Sequence, residues 1–192
     1  AELIECLGEE DDKKISLNIA GAIDFANSQI YEKALKNREQ AGMGTTLVVA
    51  YVKDDLLRVA NIGDSCAYVV SHSEISKITV DHSIVEELVR RGTISREQAR
   101  NHPDKNIITR ALGTDEFVDA DFYDYKLSMG ETIILCSDGL TETVRDEKIK
   151  EIIENAESTD AAAKELIDEA NKNGGVDNIT VVVLQVEKEE NK

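Results

Sequence analysis

Basic residues are scarce in this sequence: 22 Lys and Arg stand against 39 Asp and Glu in 192 residues, a formal net charge of −17 at pH 7. Nucleic acids and anionic membrane surfaces carry the same sign and would be repelled at long range. Aromatic residues are also few, at 4%, yet a hydrophobic content of 41% is too high for a disordered chain. We therefore expect an acidic, folded protein that binds neither nucleic acid nor membrane.

Cysteines and long apolar runs are scarce as well. Cys6, Cys66 and Cys136 cannot all pair and show no CxxC spacing, which argues against a zinc or redox site and favours reduced, buried thiols. No apolar run approaches the roughly 20 residues that span a bilayer, and no charged and then hydrophobic signal segment follows Ala1. We expect a cytoplasmic protein in which residues 1–192 form one domain.

The apolar pattern predicts an α+β fold. Helical spacing predicts helices at Leu17–Lys36, Ser83–Arg91, a segment opened by a Ser95/Gln98 capping box, Glu147–Asn155 and Asp160–Lys172. Period-two or continuous apolar runs predict strands, the first three as an antiparallel meander, at Leu47–Val52, Leu56–Ile62, Cys66–Val70, Phe117–Leu127, Thr132–Cys136 and, as a last buried strand, Asn178–Val186. Central strands with helices at both ends favour helices layered on antiparallel sheets.

Three aspartates lie where an apolar strand meets a turn: Asp64, Asp138 and Asp177. Strand ends at one edge of a sheet bring their side chains together, and half-buried carboxylates repel one another unless a cation lies between them. Oxygen ligands without nearby Cys or His suit Mg²⁺ or Mn²⁺ better than zinc. The alternative is that each Asp only caps a turn, which is the favoured interpretation for any one Asp-Gly pair taken alone.

Other polar residues carry weaker signals. Glu142 follows Asp138 by four residues and points to the same place if the chain is helical there, although taken alone it is best interpreted as an exposed charge. The three histidines, His72, His82 and His102, have no Ser or Cys at a recognisable nucleophile spacing. We expect them to be loop residues that face solvent.

Six motifs over roughly residues 17–186 resemble, in order, those of bacterial members of the protein phosphatase 2C family: Gly42-Met43-Gly44-Thr45-Thr46, Asn61-Ile62-Gly63-Asp64-Ser65, Asp81-His82-Ser83, Ile108-Thr109-Arg110-Ala111-Leu112-Gly113, Ser137-Asp138-Gly139-Leu140-Thr141 and Asp177-Asn178-Ile179-Thr180. The resemblance implies a layered α-β-β-α sandwich of two antiparallel sheets flanked by helices. It also implies a metal-dependent serine/threonine phosphatase, in which a pair of Mn²⁺ or Mg²⁺ ions holds the water that attacks phosphorus directly.

The resemblance also implies roles for individual residues. Asp138 and Asp177 match catalytic ligands of the two-metal site, while Asp64 and Glu142 match positions that hold a weaker third cation together with Asp138. The segment from Asp81 to Arg110 resembles the flap beside the active site. Phosphoprotein substrates and a counteracting serine/threonine kinase are the implied partners, and no residue of this sequence is assigned to the substrate phosphate.

The sequence departs from the family pattern at two places. Members begin with strands that carry an arginine for the substrate phosphate and an Asp-Gly whose Asp bridges both catalytic metals. The sequence from Ala1 shows neither, so we expect the N-terminal strands to be missing from this chain. We expect residues 1–192 alone to bind at most one Mn²⁺ tightly and to be inactive toward phosphopeptides. Cys66 stands where bacterial members have Arg. Two interpretations stay open: a phosphatase catalytic domain shown without its N-terminal strands, and a non-catalytic phosphatase-like module that binds phosphoproteins.

Overall fold

A long amphipathic helix opens the fold. The computed structural model describes residues 12–187, of which Asp12–Lys36 form helix α1. Ile15, Ile19 and Ile23 recur every four residues on one face of α1 and are almost completely buried. A single 3₁₀ turn, Arg38–Gln40, follows the helix and is capped by the side chain of Asn37.

The first sheet has three antiparallel strands in the order β1-β2-β5: Leu47–Lys53, Leu56–Ile62 and Asp121–Lys126. Alternation along the central strand β2 divides its side chains between two cores. Ala60 and Ile62 pack with the buried face of α1, whereas Leu57 and Val59 face the second sheet.

The second sheet has four antiparallel strands in the order β4-β3-β6-β7: Ile75–Lys77, Cys66–Val70, Thr132–Cys136 and Val181–Gln185. Its inner face packs on the first sheet through Ala67, Val69 and Ile133. Its outer face is covered by helices α4 (Asp138–Thr141), α5 (Asp146–Asn155) and α6 (Thr159–Lys172). The order of layers is therefore helix, sheet, sheet, helices, which confirms the predicted α+β sandwich.

Two short helices lie between β4 and β5: α2 (Ile84–Arg90), capped by Ser83, and α3 (Arg96–Arg100), opened by the predicted Ser95/Gln98 capping box. They belong to the segment that resembles a flap. Within residues 12–187, no helix is both long enough and apolar enough to cross a membrane.

Three predictions about strands are wrong in detail. The meander does not exist, because β2 and β3 lie in different sheets. The strand predicted from Phe117 begins only at Asp121, and Phe117 is 83% exposed. The last strand is shorter and not buried: β7 is an edge strand whose alternate residues Val182 and Leu184 are largely open to solvent.

Candidate active site

The register of the four-stranded sheet brings the three aspartates to one edge. Cys66, the first residue of β3, pairs with Cys136, the last residue of β6, and Cys136 in turn pairs with Val181, the first residue of β7. The chain therefore enters β3 and β7, and leaves β6, at the same edge of the sheet. Just beyond that edge lie Asp64, Asp138 and Asp177, as the sequence predicts.

Asp138 and the loop that carries Asp177 are held together by Ser137 and Gly139. The hydroxyl of Ser137 donates to the carbonyl of Asn178 (2.9 Å) and accepts from the amide of Thr180 (3.0 Å). A Cβ on Gly139 would lie 2.5 Å from the same Asn178 carbonyl, so only glycine lets the two segments approach this closely. The Asp-Gly pair is thus more than a turn former, because its glycine sets the distance between the segments that present two carboxylates.

Asp64 lies on the link of Gly63, Asp64 and Ser65 that carries the chain from β2 in one sheet to β3 in the other. Gly63 has a φ of +99°, and a side chain there would collide with Thr46. The Thr46 and Ser65 hydroxyls are 2.9 Å apart and share a hydrogen bond, which fixes the far side of this link.

Glu142 is one helical turn from Asp138, since its amide donates to the Asp138 carbonyl at 2.8 Å. It is not an isolated exposed charge. Its Oε1 lies 3.1 Å from Nζ of Lys105, which belongs to the flap segment, and its side chain is only 17% exposed. An ion pair therefore joins the flap to the acidic edge of the sheet.

The carboxylates at this edge repel one another. Burial, followed by the charge of Asp138, raises the pKa of Asp64 to about 6. Burial, followed by the charges of Asp177 and Glu142, raises the pKa of Asp138 above its usual range. Half-buried carboxylates that face each other in this way are stabilised when a cation neutralises them, and such groups cluster at functional sites.

A cleft of about 740 Å³ opens in front of Asp64 and Asp138, between the sheet edge and the flap helices. Its walls also carry basic side chains, three of which are paired with carboxylates of the same cleft: Lys77, Arg96, Arg100, Lys105 and Arg145. Lys77 Nζ lies 2.7 Å from the Asp81 carboxylate, and Arg96 pairs with Glu86. The flap thus forms one wall of the cleft.

The donor set fits a hard divalent cation. Asp64, Asp138, Asp177 and Glu142 offer only carboxylate oxygens, the ligands that Mg²⁺ and Mn²⁺ prefer. Among the described residues, no three acidic, His or Cys side chains already stand as a closed metal cage. Asp138 and its acidic neighbours repel one another, and a bound cation would relieve this repulsion.

The expectation for the histidines is wrong at His82, which is only 6% exposed. Its ring lies between the amide of Gly63 and the Asp121 carboxylate, contacts that join residues far apart in the chain. No local pattern in the sequence reveals these contacts. The position of His82 inside one of the six motifs is a signal that could have indicated a role other than that of a solvent-facing loop residue.

Comparison with known proteins settles the family. The family model for protein phosphatase 2C matches residues 7–179. The chain belongs to the protein phosphatase 2C family. Serine/threonine phosphatase stp of Listeria monocytogenes is 40% identical over 163 residues, which are 85% of this chain and 65% of that relative. Protein phosphatase PhpP of Streptococcus pneumoniae is 34% identical over 168 residues, 88% of this chain and 68% of PhpP.

Solved structures of this phosphatase family share the fold. Stp1 of Staphylococcus aureus superposes with a TM-score of 0.90 at 36% identity, covering 94% of this chain and 71% of Stp1. The catalytic domain of the serine/threonine protein phosphatase PstP, in complex with two manganese ions, gives a TM-score of 0.81 at 31% identity and covers 97% of this chain and 79% of that one. The chain spans 65% of the length of the Listeria relatives.

Proposed function

We propose that the protein is a metal-dependent phosphatase that hydrolyses phosphoserine and phosphothreonine in proteins, with Mn²⁺ or Mg²⁺ as cofactor. The observation that carries the proposal is the convergence of Asp64, Asp138 and Asp177 beyond one edge of the four-stranded sheet, in a chain of this family. A counteracting serine/threonine kinase and a cytoplasmic location belong to the same proposal.

Each carboxylate has a distinct part in this proposal. Asp138 and Asp177 are the catalytic ligands, because the Ser137 bridge and the Gly139 contact keep their segments together. Asp64 and Glu142 flank Asp138 and support a weaker third cation. When bound, the cations lower the pKa of a coordinated water and neutralise the phosphoryl oxygens during in-line attack.

The cleft supplies the conditions for a phosphorylated side chain to enter. A protein of net charge −17 repels a phosphate dianion at long range, so the approach depends on local positive charge. Arg100 and Arg145 line the cleft and can provide part of that charge, whereas Arg96 and Lys105 are paired with carboxylates. The carboxylates of the floor exclude a phosphate until cations cover them, which ties substrate binding to metal occupancy.

The test is the variant Asp138→Asn in the full-length protein, assayed with a phosphothreonine peptide and Mn²⁺. Loss of a ligand shared by the cations should lower turnover by about a hundredfold or more. Asp168→Asn, at an exposed position of α6, is the matched control and should keep wild-type turnover. Wild-type turnover of Asp138→Asn would refute the proposal.

A second candidate is a phosphatase-like module that binds phosphoproteins without hydrolysis. The assay above also separates the two. Binding of the peptide without phosphate release by the full-length protein would favour the module. Running the same assay on residues 1–192 tests the separate prediction that they hold at most one Mn²⁺ tightly and are inactive toward phosphopeptides.

A further inference from the structure

His82 holds both backbone polar groups of Gly63. Its backbone N–H donates to the Gly63 carbonyl at 2.9 Å, and its ring Nδ1 accepts from the Gly63 N–H at 3.1 Å. Both residues are buried, so these bonds are shielded from competing water. The Asn61 amide adds a third contact, since Nδ2 donates to the Gly63 carbonyl at 3.2 Å.

The other side of the imidazole faces Asp121 and Arg110. Because Nδ1 accepts a hydrogen bond, the neutral ring carries its proton on Nε2, which lies 3.2 Å from Oδ2 of Asp121 and 3.3 Å from Nη1 of Arg110. Both nitrogens are then donors, and Asp121 is the acceptor that they share. Asp121 is held in turn by Arg110, whose Nη1 donates to Oδ1 at 2.7 Å. Burial alone would raise the pKa of Asp121, but hydrogen bonds from Arg110 and His82 hold it below its usual range.

These contacts bear directly on Asp64. Gly63 precedes Asp64 on the link between the sheets, and its left-handed backbone conformation directs the chain toward the acidic edge. The link has no regular secondary structure to support it. The direction in which the Asp64 carboxylate leaves the backbone therefore depends on the bonds made by its neighbours.

We propose that His82 is a positioning residue: its Nδ1, oriented by Asp121 and Arg110, holds the Gly63 amide and so aims Asp64 at its cation. The inference rests on the proposed function for the role of Asp64. It also assigns a role to His82 of the Asp81-His82-Ser83 motif and to Arg110, which are not among the proposed metal ligands.

Two variants separate positioning from simple packing. His82→Asn places an amide oxygen near the position of Nδ1, so it can accept from Gly63 but cannot reach Asp121. His82→Gln places its amide near the position of Nε2, so it keeps the contact with Asp121 and loses the bond to Gly63. Each variant gives up one contact of the His82 ring, so a purely structural role would weaken folding in both and would not single out the part of Mn²⁺ binding that depends on Asp64.

The experiment measures Mn²⁺ binding by electron paramagnetic resonance in the full-length protein, with Asp64→Asn defining the component that depends on Asp64. We expect His82→Gln to weaken that component about tenfold and His82→Asn to change it by less than about threefold. In the Asp64→Asn background, His82→Gln should add no further loss. Equal losses in the two His82 variants, or a loss that persists without Asp64, would overturn the inference.

A measurement on the unmutated, metal-free protein keeps the test independent of folding of the variants and of catalysis. Nitrogen NMR should show an unprotonated Nδ1 on His82 and a scalar coupling across the hydrogen bond between that atom and the Gly63 amide nitrogen. A protonated Nδ1 at neutral pH, or no such coupling, would overturn the inference. Failure of the phosphatase assay with the coupling present would instead refute only the proposed function.

Discussion

Replacing Asp64 with Asn removes a charge from the acidic edge while nearly preserving the shape of the side chain. Folding raises the pKa of this carboxyl from 3.8 to about 6, first through burial and then through the charge of Asp138. A carboxyl whose pKa is raised by folding destabilises the native state above its folded pKa, and this cost vanishes once the pH falls below the unfolded value. Asp64→Asn should therefore stabilise the metal-free protein at neutral pH and have little effect near pH 3.8.

The size of the effect follows from the same numbers. In a site sealed from water, a rise from 3.8 to about 6 corresponds to about 3 kcal/mol. The Asp64 side chain is only half-buried, and solvent screens part of its repulsion with Asp138. We expect about half of that value, ~1.5 kcal/mol in the free energy of unfolding at neutral pH.

Urea unfolding in the presence of a chelator measures this difference, at about pH 7.5 and again at about pH 4. Asp24→Asn, at an exposed position of α1, is the control and should show no change between the two conditions. Adding Mn²⁺ should reverse the order at neutral pH, because a cation that binds only the native state stabilises the protein that retains its ligand. A gain that is equal at both pH values, or a loss at neutral pH, would refute the electrostatic reasoning.

Two further predictions concern the flap and the buried thiols. Lys105→Met removes a positive charge 3.1 Å from Glu142 and should tighten Mn²⁺ binding about two- to fivefold, since partly exposed ion pairs of this kind contribute roughly 0.5–1 kcal/mol. Unchanged affinity in a Mn²⁺ titration would contradict this prediction. In a Cys6→Ser background, Cys66 and Cys136 should resist a thiol-specific reagent in the native protein and react in urea. Both thiols are buried, and their mutual hydrogen bond together with burial raises the pKa of Cys136. Rapid labelling of the native protein would argue against this prediction.

The layers of the fold could be predicted from the sequence because most helices and strands are specified by residues close together in the chain. The stripe of α1 and the capping box before α3 depend on neighbours within one or two helical turns. The assignment of β2 and β3 to different sheets depends instead on pairing with strands much later in the chain. A short polar turn between two apolar strands is compatible with a hairpin and with a crossover, so pattern alone favoured the wrong one.

The residues of the candidate site divide in the same way, into those that local sequence predicts and those that depend on distant contacts. The three strand-end aspartates were found from their positions, and the register explains why they meet. The ion pair of Glu142 with Lys105 joins residues 37 positions apart, and the contacts of His82 link two motifs that look independent in the sequence. Partners of this kind are fixed by tertiary packing, which periodicity and turn chemistry do not encode.

The link from Gly63 to Ser65 has a consequence for the order in which the protein folds. One end of the link continues β2 of the first sheet and the other end leads into β3 of the second sheet. Asp64 therefore reaches its final place only after the two sheets have docked. Asp138, whose charge helps to raise the pKa of Asp64, lies 74 positions further along the chain, a sequence separation typical of contacts that form late in folding. The contribution of Asp64 to cation binding is thus gained only when the sheets dock, whereas the segments of Asp138 and Asp177 meet within the second sheet alone.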